Sequence, residues 1–232
     1  MSSFKRYIGI DYSGAETPTS RLRGIRVFSA TQSDEPREQN TSAGLGTAAR
    51  HMRWNWTRKE LAYWLAEQLS GPEAVIVGID HGFSFPDAYF RRYGLKTWDE
   101  FIEDFCKHWP TDSDHTYVDD IREAGSERTG SMREFRLSEK RAKGVQSVFK
   151  FDGQGTVGIS THSGIPWLRF LRRHETLSGT ARTSGIFRSS AAPIPRSWPR
   201  TTNRRGPTMS GICRRWARHS TSFFGSTSTE GR

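Results

Sequence analysis

The chain has 232 residues and a formal net charge of +10, enough for one core of ordinary domain size. Its two cysteines, Cys106 and Cys213, stand far apart, which excludes a disulfide framework or a thiolate zinc site and suits a reducing compartment. No apolar run approaches the roughly 18 residues a bilayer span needs, and the start, MSSFKRYIGI, has no signal-peptide core; a soluble, cytoplasmic protein with no membrane partner is expected.

The charge is unevenly placed. Residues 174–232 hold ten Arg, no Lys and two acids, Glu175 and Glu230, so +8 of the +10 lies there and the body is nearly neutral. Clustered arginine is the footprint of phosphate binding, but here it belongs to the tail alone.

In chain order, residues 5–12 and 24–30 are strand-like and form an antiparallel pair joined by a polar loop. Residues 31–53 are polar, carry Pro36, Gly44 and Gly46, and read as a loop. Thr57 is a helix N-cap with Glu60 as its capping-box partner, and Leu61, Trp64, Leu65 and Leu69 follow at helical spacing until Gly71 and Pro72. A second strand occupies AVIVGID, ending at Asp80. After Pro86, two short helices split at Gly94 carry Tyr89, Phe90, Trp98, Phe101, Ile102 and Phe105. Residues 110–123 are acidic and irregular, and 124–144 form a charged excursion. A strand is expected in VQSVFKFDG, and a helix in STHSGIPWLRFLRR with Ile165, Leu168 and Leu171 on one face.

Two stretches share a pattern. YIGIDYSGAE and AVIVGIDHGFSFP each run a β-branched strand into Gly-Ile-Asp and then break. If the strands are neighbours, Asp11 and Asp80 stand side by side at the sheet's carboxyl edge, where open α/β sheets place ligands. Two such carboxylates suit a hard divalent cation. An Asp after a strand also serves as a turn former or helix cap, and the repeat is what favours the metal.

After about Arg173 the composition turns to Arg, Ser, Thr and Pro without helical or strand period, so no packed core is expected from it. Residues 1–173 are therefore the domain. The tail at 174–232 reads either as a basic disordered segment or as the product of a shifted reading frame.

Read together, YIGIDYSGAETP, VGIDHGFSFP, FCKHWPTDSDHTYVD, SVFKFDGQGTV and THSGIPWLRFLR resemble the DUF429-like proteins over about residues 4–173. The resemblance implies an α/β fold of the ribonuclease-H-like kind, a mixed sheet flanked by helices, and a metal-dependent nuclease using Mg²⁺ or Mn²⁺. Asp11 and Asp80 would then be catalytic residues and metal ligands. Segments like HFWPFDGW, IAEVYP and GDQHDAY, which such proteins carry further on, are absent, and with the last two go the family's remaining acids. A shifted frame permits HFW over Arg182 to Gly185 and a segment like SVMAE over Pro195 to Arg200, which favours the frameshift reading. It also implies a missing or scrambled last strand and helix and impaired activity.

Around the two aspartates, Ser13 offers a turn N–H to phosphate, and His81, His115, Tyr117 and His162 are candidate contacts to the ligands or the substrate. For each histidine a buried, hydrogen-bonded structural role is the competing reading. Asp119, Asp120 and Glu123 are further acids in a segment expected to be solvated. The alternatives to a nuclease are a non-catalytic nucleic-acid binder acting through the basic tail, and an actin-like or sugar-kinase-like nucleotide binder; in the latter, Gly14 falls one place late for the phosphate turn. Nucleic acid or a nucleotide is the expected partner, and the oligomeric state is not legible.

Overall fold

The first Gly-Ile-Asp strand, β1 (Arg6–Asp11), sits at the centre of a mixed sheet. The computed structural model describes residues 4–41, 55–142, 144–153, 155–178 and 185–188. β2 (Arg26–Thr31) pairs antiparallel with β1, and β3 (Arg37–Gln39) antiparallel with β2. On the other side β4 (Val75–Ile79) runs parallel to β1, and β5 (Gly185–Arg188) parallel to β4. The order is β3-β2-β1-β4-β5, an α/β architecture with only β2 reversed.

Strand alternation decides what each face carries. Register pairs Ile8 with Val77 and Ile10 with Ile79, and these side chains join one core cluster with Leu61, Leu65, Leu168 and Leu171. That layer is supplied by α1 (Arg58–Ser70) and α6 (Gly158–Ser178). On the opposite face Tyr7 and Ile76 form a small cluster with Phe4.

The expected N-cap of α1 is present. The Thr57 hydroxyl accepts from Glu60 N at 3.0 Å and the Glu60 carboxylate accepts from Thr57 N at 3.2 Å. Two short helices follow β4 as expected, α2 (Asp87–Arg92) and α3 (Trp98–His108), with Gly94 at φ +67 between them. Their rings build a second, aromatic cluster of Phe85, Tyr89, Phe101, Phe105 and Trp109 against the other side of α6.

Three stretches differ from the sequence reading. Residues 110–123 are not wholly irregular: α4 (Val118–Ala124) forms, with Asp120 accepting from the Tyr117 N–H at 3.2 Å and Val118 buried. The charged excursion is tied down, because Arg128 pairs with Asp104 at 2.6 Å and α5 (Leu137–Arg141) buries Glu139 against Arg136. VQSVFKFDG makes no strand; Val148 and Phe149 turn into the aromatic cluster. Its alternation reports burial of two side chains, not a place in a sheet.

The chain also continues as regular structure beyond residue 173. Helix α6 runs on to Ser178, and β5 takes the flank of β4 that a missing last strand would have left bare. The rest of the tail, 179–184 and 189–232, and residues 42–54 lie outside the described residues.

Helix α6 contains Pro166. Proline has no N–H to give the carbonyl four residues back, and that carbonyl, of His162, accepts instead from the Thr111 hydroxyl at 2.7 Å. Thr111 is fully buried, so the side-chain donor replaces the missing helical one where no solvent reaches.

Candidate functional site

Gly9 and Gly78 are paired in register, and two residues further on each strand are Asp11 and Asp80. Alternation therefore directs both carboxylates to the same face, with no side chain on the sheet immediately before them. The two carboxyl groups hydrogen-bond to each other. The main-chain N–H of Tyr12 donates to Asp80 Oδ1 at 2.9 Å, tying the end of one strand to the next.

A hydrogen bond between two carboxyls requires that one keep a proton. Burial, which penalises the charged form, pushes Asp80 up to about 7; the Tyr12 N–H opposes the rise and the neighbouring Asp11 charge adds to it. Asp11 is also raised, by burial first, with its bond to Asp80 and the Arg26 charge pulling the other way. Arg26 is opposite Asp11 on β2 and forms an ion pair with Glu38. The two aspartates thus behave as one proton-sharing pair.

The loop after Asp11 is held from below. Arg58, the first residue of α1, is buried and donates to Ala15 O at 2.5 Å and Glu16 O at 2.8 Å, with a longer bond to Ser13 O at 3.5 Å. Glu16 takes φ +54, and the clamp on its carbonyl holds that unfavourable backbone in place. A Cβ on Gly14 would lie 2.5 Å from Ile159 O, so only glycine lets this loop lie against the start of α6. Sequence reasoning missed Arg58, because an arginine at the first position of an amphipathic helix looks solvent-facing.

The remaining predicted residues are scattered by the same geometry. Ser13 is half-buried in this loop, its hydroxyl accepting from Ala15 N at 3.4 Å. Tyr117 reaches the loop too: its hydroxyl bonds to the Glu16 main chain and, together with burial, the Asp119 beside it raises its pKa. His81 does not join the aspartates. One residue past Asp80, it falls on the opposite face, buried, with Nδ1 2.9 Å from Gly82 O and its ring against Tyr12 and Phe83. His162 is no substrate contact either. It is fully buried with Nδ1 2.9 Å from Gly158 O, ringed by Phe85, Phe105, Trp109 and Phe151, and burial holds its pKa down to about 4. His115 is exposed on the turn before α4, at φ +68. Asp119 pairs with Arg122 at 3.2 Å and Asp120 caps α4, while Glu123 is exposed.

Among the described residues no group of three or more His, Cys, Asp or Glu side chains is arranged to hold a metal. Asp11 and Asp80 nevertheless fit a hard divalent cation as a two-carboxylate set, the remaining positions falling to water and to substrate oxygens. Two carboxylates forced together out of water retain a proton between them, and a cation relieves the same repulsion. Among the described residues no helix is long and apolar enough to cross a membrane. Comparison with protein-family models, curated proteins and solved structures finds no match to this chain.

Proposed function

We propose that the protein is a metal-dependent phosphodiesterase acting on nucleic acid, with Asp11 and Asp80 as the ligands of Mg²⁺ or Mn²⁺. The observation that carries this reading is the pair itself: two aspartates in matching strand positions, in hydrogen-bonding contact at the carboxyl edge of a sheet. A three-stranded antiparallel edge with two parallel strands added across β1 supports a ribonuclease-H-like scaffold, and with it the likeness to DUF429-like proteins. A bound cation would polarise a water for attack on phosphorus and neutralise charge on the phosphate.

The chain's own residues have defined tasks in this reading. Asp11 and Asp80 would hold the cation, and the proton they share would have to leave for it to bind. The Tyr12 N–H fixes Asp80 Oδ1, so that Asp80 would be held in place to share the cation with Asp11. Arg58 holds the loop of Ser13 and Gly14 through the Ser13, Ala15 and Glu16 carbonyls, and turn N–H groups of this kind would serve to bind phosphate oxygens. The strand beside Asp80, β5, reads Gly-Ile-Phe-Arg and adds no acid. With two carboxylates, metal binding is weak and hydrolysis slow.

Calorimetric titration of the chelator-treated protein with Mn²⁺ tests this. The native chain is expected to bind, and Asp11→Asn and Asp80→Asn each to weaken binding at least tenfold, a loss of about 1.4 kcal/mol or more. Release of fluorescent fragments from labelled single-stranded and duplex DNA and RNA then reports activity and substrate. Equal Mn²⁺ affinity in the native chain and both variants would remove the basis of the proposal. Metal-independent binding of nucleic acid without cleavage would favour the tail-mediated alternative.

A further inference from the structure

The aspartate pair has a cation stationed beside it. Arg26 is directly opposite Asp11 in the β1–β2 ladder, and facing partners in an antiparallel pair share a face, their Cβ atoms about 4.5–5.5 Å apart. The Arg26 charge is felt at Asp11, where it opposes the rise that burial causes. Among the described residues, however, the guanidinium pairs with Glu38 of β3 and not with Asp11. Its Nε and Nη2 donate to the two oxygens of that carboxylate, the second at 2.7 Å. The guanidinium carbon lies 5.8 Å from the centroid of the Phe28 ring, two residues along the same face of β2.

A planar fork engaged by two carboxylate oxygens is equally matched to two phosphate oxygens. The pair with Glu38 is exposed, at 50% for Arg26 and 38% for Glu38. An ion pair so placed contributes little, and water solvates the carboxylate once it is released, so a change of partner costs little. Arg58, the other arginine at the site, is buried and committed to the main-chain carbonyls of Ser13, Ala15 and Glu16, so it has no such freedom.

We propose that Arg26 is the phosphate-binding residue of the site, exchanging the Glu38 carboxylate for a phosphodiester of a nucleic-acid strand laid beside Asp11. Glu38 is then the resting partner that keeps the guanidinium off the aspartates. The place of this contact in a reaction rests on the reading of Asp11 and Asp80 as metal ligands; the contact itself needs no metal.

Fluorescence anisotropy of a labelled oligothymidylate with the full chain, over a series of salt concentrations in chelator, tests this. Arg26→Ala is expected to weaken binding at least about fivefold and to reduce the slope of log affinity against log salt by about 0.7, the share of one phosphate on a single strand. Glu38→Gln frees the guanidinium and is expected to tighten binding about twofold to fivefold, the size of an exposed ion pair. An ion pair that merely joins β2 to β3 would give changes of the same sign in both variants and leave the slope alone. That result, or no change in either variant, overturns the proposal. Calorimetric titration of the same proteins with Mn²⁺ reports the aspartates separately, and Arg26→Ala is expected to bind Mn²⁺ no more weakly than the native chain. A native chain that takes no Mn²⁺ removes the metal-site reading, while the opposite responses of the two variants in chelator still decide the role of Arg26.

Discussion

Asp80 and His162 carry shifts of opposite sign that overlap in pH. Folded Asp80 holds a proton up to about pH 7 that the unfolded chain releases near 3.8, so its contribution to stability falls as pH rises through that window. Folded His162 stays neutral down to about pH 4, whereas unfolded it takes a proton below 6.5, so its contribution rises with pH up to 6.5. At roughly 1.4 kcal/mol per unit, the limits are about 4 kcal/mol for Asp80 and about 3 kcal/mol for His162. Between pH 4 and 6.5 the two offset each other, and the metal-free protein is expected to show a nearly flat profile that declines toward neutrality. Asp80→Asn keeps an acceptor for the Tyr12 N–H and deletes one slope, so stability should climb from pH 4 to 6.5 and then level. Urea midpoints measured with chelator across this range check it; parallel curves for native and variant chains would show that Asp80 titrates normally.

The elements legible in the sequence are those with local grammar. Thr57 and Glu60 announce α1 because the capping box is a contact between neighbours in the chain, and Gly94 announces the break between α2 and α3 because its positive φ is a local demand. The fate of Val148 and Phe149 is not local: they are claimed by rings from Phe85 and Tyr89, far away in sequence. Helix α6 was found, but what lets it seat was not. Its Gly164 faces His81, and a Cβ there would come within 2.5 Å of His81 Nε2. Alanine improves a helix interior by up to about 1 kcal/mol, while overpacking costs about 1–3 kcal/mol. With His81 buried between Tyr12 and Phe83 the clash prevails, and Gly164→Ala should lower the urea midpoint; a raised midpoint would mean that His81 moves aside. Thr111→Val keeps shape and deletes the donor to the His162 carbonyl beside Pro166. A loss of about 1–3 kcal/mol is expected in the same measurement, and an unchanged midpoint would show that another donor serves the carbonyl.

At the scale of the molecule, the sequence disclosed the centre of the sheet and missed its rim. Two Gly-Ile-Asp strands mark each other by repetition, but the pattern gives the side-by-side placement of Asp11 and Asp80 only on the condition that the strands are neighbours, and it is the β1–β4 pairing that meets the condition. Which residues stand near the pair depends on alternation, and alternation sends His81 to the wrong side. β5 left no pattern because four residues among Arg and Ser carry no period, and its place is fixed by β4. A chain ending at Ser178 would bare the β4 backbone from Ile76 to Ile79, and unpaired edges recruit other chains; light scattering should find it aggregating at concentrations where the full chain stays dispersed.

The parallel pairing of Ile76 with Gly185 joins positions more than a hundred residues apart, with α2 through α6 made in between. During synthesis, the strand that ends beside Asp80 must wait roughly 5 to 20 seconds for its outer neighbour at ordinary elongation rates. Over that interval the nascent chain has one strand paired on one side only, a natural stretch for a chaperone to cover. Sheet completion is thus timed by translation, and codons that slow the ribosome between β4 and β5 lengthen the most vulnerable stage in the protein's life.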